Sequence, residues 1–382
     1  MGTGFDKDRL TRFCEVVEGH VASGLYHGGV FRVARGGEPA LDVAIGYEDA
    51  ERTRPLRTDS VFSIFSMTKA FINVLVLRAV ERGLFGLTTK MVELVPEFAG
   101  PPRDRSTILH FLTHTTGMPG VWEPRPGQPW DRLDETVAAV CETIHGTSEP
   151  GTRCDYSPLA NHALLAEALR RTDPEGRTIH RILHEDLFAP LGMVDTQLGV
   201  PARLKDRHVV PDMRGTVPIK ALSRENDEDQ GLFVAESNES TWAGGSSTSA
   251  DMARLAEMLR GEGTLDGARI LSPRTVRTAR RVWTGELPNE LYKAVALRAG
   301  YPPPPANIGL GFNVRGPQIV NHQLGTLTSA ETFGNYGAGS MVFWVDPELD
   351  VTFVGMTAGL LSQAANIERF ERLADVVVGA TL

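Results

Sequence analysis

Residues 60–83 read SVFSIFSMTKAFINVLVLRAVERG, and this stretch constrains the fold more than any other part of the chain. Phe71, Ile72, Val74, Leu75, Val76, Leu77, Ala79 and Val80 fall on every side of a helix. Such a helix has no face to offer water and has to run through the inside of the molecule. Glu81 and Arg82 lead to Gly83, a helix stop. Lys69 opens the run, and Ser66 stands three residues before it on the same helical face. A cation there loses its hydration, which is costly unless it is paired or gives up its proton. Taken alone, S-x-x-K also fits a capping serine followed by a first-turn surface lysine. A cap, however, requires no lysine directed at the core.

The two ends of the chain supply the material to bury this helix. After a first helix expected over residues 7–22, GGVFRVARGGEPALDVAIGYED alternates as two strands around a GGEP turn. Near the other end SMVFWV and VTFVGM flank DPELD, and NIERFERLADVVV then returns to helical periodicity. Residues between are mostly helical pattern broken by long loops such as EPRPGQPW at 123–130. The economical fold is α/β: an antiparallel sheet flanked by helices, with a mainly helical second domain. Residues 1–65 and 236–382 would form the first and 66–235 the second, with a site in the crevice between them.

Of the 382 residues, 41% are hydrophobic and 23% charged, as in ordinary globular proteins, and the net charge of -9 comes from mixed signs. The chain lacks the basic stripe that phosphate backbones require, so nucleic acid is not an expected partner. The first residues show no apolar signal core, and no apolar run approaches a membrane span. Cys14, Cys141 and Cys154 are too scattered for a disulfide framework. The expectation is a cytoplasmic protein. The histidines show no metal-ligand spacing, so neither metal nor cofactor is expected.

A serine hydroxyl becomes a useful nucleophile only beside a base. An amine in an apolar crevice is partly neutral and can take the proton. The start of a helix also offers free N–H groups to an oxyanion. Further segments follow SMTK in order: LHFLTHTTGMPG, PGTRCDYSPLANHALLAEALRR, LFAPLGMVDT, WAGGSSTSADMARLAEMLRG and FGNYGAGSMVFWVDPELDV. With these, the chain from about residue 20 onward resembles the serine beta-lactamase superfamily, in particular the class C beta-lactamase-like group of esterases, D-amino-acid peptidases and transacylases.

The resemblance implies that Ser66 accepts the acyl group and that Lys69 and Tyr156, of the family's Y-x-N motif, manage its proton. It leaves open which of the two is the formal base, and a neighbouring ammonium would favour the tyrosine's phenolate. Asn335, Tyr336 and Gly337 take the place of the family's K-T-G motif, and the N–H groups of Ser66 and Ala338 would form the oxyanion hole. Two departures bear on substrate. The K-T-G lysine is Asn335 here, and the Y-x-N asparagine is Pro158, so neither group that recognises a beta-lactam is present. The expected substrate is therefore a small acyl donor, an ester, thioester or amide, with water or an alcohol or amine as acceptor. The alternatives are a D-peptidase and a binding protein that has kept the fold.

Trp122 and Trp130 flank a Pro/Gly-rich loop, where they would either wall the acyl pocket or simply pack. His114 reads as a loop-structuring residue and Cys154 as a small buried filler. YPPPPANIG reads as an extended loop over the crevice and RENDEDQG as a solvated acidic loop.

Overall fold

The computed structural model describes residues 4–212, 234–298, 300 and 302–382; the acidic run at 224–231 lies outside them. Helix α1 (Lys7–Ala22) starts at Asp6, whose carboxylate accepts from the Asp8 and Arg9 N–H groups. Strands β1 (Gly28–Arg35) and β2 (Glu38–Gly46) follow as a hairpin. The short strand β3 (Val61–Ser63) then leads into the turn that carries Ser66.

Helix α2 (Lys69–Glu81) is buried on all sides, as its composition requires, and ends at Gly83 in the left-handed region (φ 70°). Around it lie α3 (Met91–Leu94), α4 (Ile108–Leu112), α5 (Leu133–Thr143), α6 (Ala160–Thr172) and α7 (Ile179–Leu183). The middle of the chain is not helix and loop alone. β4 (Gln197–Leu198) and β5 (His208–Val209) join β3 and β6 (Gly245–Thr248) in a small sheet of order β4-β6-β3-β5. Two-residue strands carry too little periodicity to be read from sequence.

Helix α8 (Ser249–Arg260), the hairpin β7 (Thr264–Leu265) and β8 (Ala268–Arg269), α9 (Pro273–Ala279) and α10 (Glu290–Arg298) precede β9 (Asn313–Val314). The strands β10 (Phe333–Gly337), β11 (Met341–Asp346) and β12 (Val351–Ala358) and the helix α11 (Gln363–Gly379) complete the chain. The main sheet runs β2-β1-β12-β11-β10-β9, with every pairing antiparallel. Its period-2 alternation divides the core. Val342, Trp344 and Phe353 pack with Phe13, Phe370 and Val377 of α1 and α11, while Met341, Phe343, Val345 and Val354 join the larger core that contains α2 and α8. β12 lies in the middle of the sheet, and all eight of its residues are buried. The sheet is thus built from both chain ends, and the Ser66 turn sits where β10, next to the β9 edge, meets the helices.

Candidate active site

Ser66 is not inside α2 but on the single 3-10 turn Phe65–Thr68 that precedes it. Phe65 is buried with φ 46°, a left-handed conformation that is unusual for a bulky residue and characteristic of functional turns. The turn is pinned to β6 on both sides: Ile64 N–H donates to Gly245 O and Gly245 N–H to Thr68 Oγ1, both at 2.9 Å. Gly337 fits close behind it, since a Cβ there would lie 2.3 Å from Ile64 O. Gly337→Ala is therefore expected to push β10 away from the Ser66 turn. It should cost about 1–3 kcal/mol in a denaturant melt and lower kcat more than KM; unchanged stability and turnover would show that the contact is soft.

Ser66 Oγ lies 2.8 Å from Tyr156 Oη and 3.1 Å from Lys69 Nζ. Lys69 Nζ also donates to the main-chain carbonyls of Pro158 (2.9 Å) and Trp242 (2.7 Å). Lys69 is 3% exposed and forms no ion pair among the described residues; burial holds its pKa well below the usual lysine range. A neutral amine has two hydrogens and one lone pair. In that form the two carbonyls would take the hydrogens, and the lone pair would face Ser66 Oγ. Tyr156 goes the opposite way from the sequence-based expectation: burial pushes it up to about 12, so it keeps its proton. Lys69 Nζ lies over the Tyr156 ring, 5.2 Å from its centroid, and any pull it exerts toward the phenolate is outweighed by desolvation.

His114 stacks against the Tyr156 ring (4.9 Å between centroids, 34° between planes). Its Nδ1 accepts from Ser157 N–H at 3.0 Å, and burial lowers its pKa to about 3, so it stays neutral and props the tyrosine loop. Behind Lys69 runs a polar chain that the sequence reading missed. His162 Nε2–H donates to Asn73 Oδ1 (3.0 Å), and Asn73 Nδ2–H donates to Gly311 O (2.6 Å). Asn335 Nδ2–H reaches the same carbonyl at 3.2 Å. A signal for it was available: Asn73 is the one polar residue in 70–77, four positions after Lys69 and on the same helix face.

Ser66, Lys69, His114, Tyr156, His162, Gly311 and Asn335 line a cavity together with Asn289, Leu291, Ile308, Phe312, Asn313 and Tyr336. Asn335 is on its wall, but its amide is already engaged by Gly311 O and by Asn313, whose Nδ2–H donates to Asn335 Oδ1 at 3.1 Å. Trp122 and Trp130 are not among the lining residues: Trp122 is 56% exposed, and Trp130 is fully buried in the larger core. Pro158 does not line the cavity either; it contributes through its carbonyl on Lys69, a role open to almost any residue. Cys154 packs against Ala306 and Ile308 and donates weakly to Thr113 O; burial raises its thiol to about 12. Ile308, from the proline-rich loop, brings that loop to the cavity as expected.

A sheet closed by both termini, a helical layer, and serine, lysine and tyrosine converging at their junction define a protein of the serine beta-lactamase and penicillin-binding-protein type. The chain belongs to the Beta-lactamase family, whose model matches residues 13–377. A penicillin-binding protein homologue from Caulobacter crescentus superposes with a TM-score of 0.80 at 26% identity, over 98% of both chains. The esterase/beta-lactamase LipL of Mycobacterium tuberculosis is 26% identical over 363 residues, 88% of this chain and 78% of LipL. Esterase EstB of Burkholderia gladioli is 40% identical over 202 residues, 48% of this chain and 50% of EstB. Among the described residues no helix is long and apolar enough to cross a membrane.

Proposed function

We propose that the protein is a serine hydrolase that forms an acyl-enzyme on Ser66 from a small uncharged ester, with slow or no turnover of beta-lactams. The observation that carries this reading is the contact of Ser66 Oγ with both a buried, carboxylate-free Lys69 amine and the protonated Tyr156 hydroxyl. Lys69 takes the Ser66 proton as Oγ bonds to the substrate carbonyl carbon, and the carbonyl oxygen becomes an oxyanion facing the Ser66 and Ala338 N–H groups. When the ester C–O bond breaks, the departing alkoxide takes a proton from Tyr156, and Tyr156 recovers one from Lys69. Water then repeats the sequence on the acyl-enzyme; an alcohol or amine in its place would make the reaction a transfer.

The ester preference is supported by the cavity wall, on which Lys69 is the one lysine or arginine among the described residues. Among the described residues no further lysine or arginine lines the cavity to hold a substrate carboxylate. Two relatives that bear the name esterase, LipL and EstB, point the same way.

The test is intact mass after treatment with a fluorophosphonate probe, followed by ester and cephalosporin turnover. A single adduct on the wild type that is absent from Ser66→Ala is expected. So is a kcat/KM at least about a hundredfold higher for p-nitrophenyl butyrate than for a chromogenic cephalosporin. A folded protein that takes no label and turns over neither substrate would overturn the reading in favour of a binding protein. Comparable cephalosporin turnover would overturn the substrate class alone.

A further inference from the structure

Arg369, on α11, is 2% exposed and has no carboxylate partner among the described residues. Its guanidinium is sandwiched by aromatic rings, 4.6 Å from the centroid of Tyr26 and 4.2 Å from that of Phe370. Burying a lone guanidinium is expensive, and an apolar side chain of similar volume would fill the same space at less cost. Packing therefore does not account for it.

Its hydrogen bonds lead to one place. Arg369 Nη1–H donates to Thr357 Oγ1 at 2.9 Å and Nη2–H reaches Gly339 O at 3.5 Å; Nη2–H also donates to Asn366 Oδ1. Thr357 in turn donates twice to Ser340 O, from Oγ1 (2.9 Å) and from N–H (3.0 Å). The rest of this turn is held just as firmly. Gly337 O accepts from Ser340 N–H (3.4 Å), Ala338 O from Ser340 Oγ (3.0 Å), and Gly339 O from Leu361 N–H (2.9 Å). Every carbonyl from Gly337 to Ser340 thus has a donor, and Arg369 adds to two of the four: to Gly339 O directly, beside Leu361 N–H, and to Ser340 O by orienting the Thr357 hydroxyl. With its carbonyls anchored, the turn has little freedom to rotate its peptide planes.

We infer that Arg369 is a positioning residue for the oxyanion hole: it fixes the β10–β11 turn so that the Ala338 N–H is held toward the Ser66 turn. The inference rests on the acyl-enzyme reading above. A positive charge behind the turn, with no carboxylate partner among the described residues, also favours negative charge in front of it, at the site where the oxyanion would form. Both effects act on the tetrahedral species more than on bound ester, so they separate kcat from KM.

The experiment compares wild type, Arg369→Met and Arg369→Lys for p-nitrophenyl butyrate kinetics and for inhibition by phenylboronic acid, which forms a tetrahedral adduct on an active serine. Arg369→Met is expected to lower kcat about 10- to 100-fold with KM within about twofold, and to weaken boronate inhibition by a similar factor. Arg369→Lys keeps the charge without the planar fork and is expected to fall between the two; it carries the test if the methionine variant fails to fold. Folded variants with wild-type kcat and wild-type boronate affinity would overturn the inference, as would a change confined to KM. A folded wild type that takes no fluorophosphonate label and turns over neither ester nor cephalosporin would overturn the acyl-enzyme reading, and this inference with it. A labelled wild type with unaffected Arg369 variants would overturn the inference alone.

Discussion

Lys69→Arg is expected to lower kcat/KM for p-nitrophenyl butyrate by about a thousandfold or more, although the positive charge is kept. A guanidinium cannot give up its proton at any accessible pH, so it cannot accept one from Ser66. If Lys69 served only as a fixed cation, the arginine variant would retain much of the activity; a loss of less than about tenfold would sink the assignment of Lys69 as base. The pH profile supplies a second check. Burial holds the Lys69 pKa below the ordinary lysine range, so the reactive, neutral amine becomes populated as pH rises through that lowered value. Wild-type kcat/KM should therefore rise with pH along a single limb to a plateau. The alkaline fall waits for Tyr156 to lose its proton near 12. A bell that closes near neutral pH would contradict the raised Tyr156 value, and a rising limb at the ordinary lysine range would contradict the lowered Lys69 value.

Tyr156→Phe is expected to lower kcat about 10²- to 10³-fold for alkyl esters, whose departing alkoxide needs a proton. The loss should be smaller for p-nitrophenyl esters, because p-nitrophenolate leaves without one. The phenylalanine ring can keep its place against His114, so the melting temperature should move by no more than a few degrees, and folding will not confuse the result. Equal losses for good and poor leaving groups would remove Tyr156 from the role of proton donor and leave it as a spacer beside Ser66.

Most of the fold was legible because its elements carry strong periodic signals. The all-round apolar run 71–80 announces a buried helix, and the short apolar runs of β1, β11 and β12, bounded by turn residues, announce the strands of a sheet. The small sheet was not legible, since its strands are two to four residues long and are held by partners far away in the chain. The site divides along the same line. Ser66 and Lys69 are three residues apart on one face, so local geometry brings them together. Tyr156 was placed beside them by motif order, and its hydrogen bond with Ser66 comes from the packing of the loop before α6.

The sequence by itself put Ser66 and Lys69 on one face at the start of a buried helix, because composition and spacing settle those points before any long-range contact forms. It left Trp122, Trp130 and Pro158 with roles that only packing could assign, and packing took all three off the cavity wall. The protonation states were decided by tertiary structure alone. Lys69 is held toward neutrality and Tyr156 toward its protonated form by the same cause, the removal of water from around both. Desolvation is a property of the whole surrounding shell, and no short stretch of sequence contains that shell.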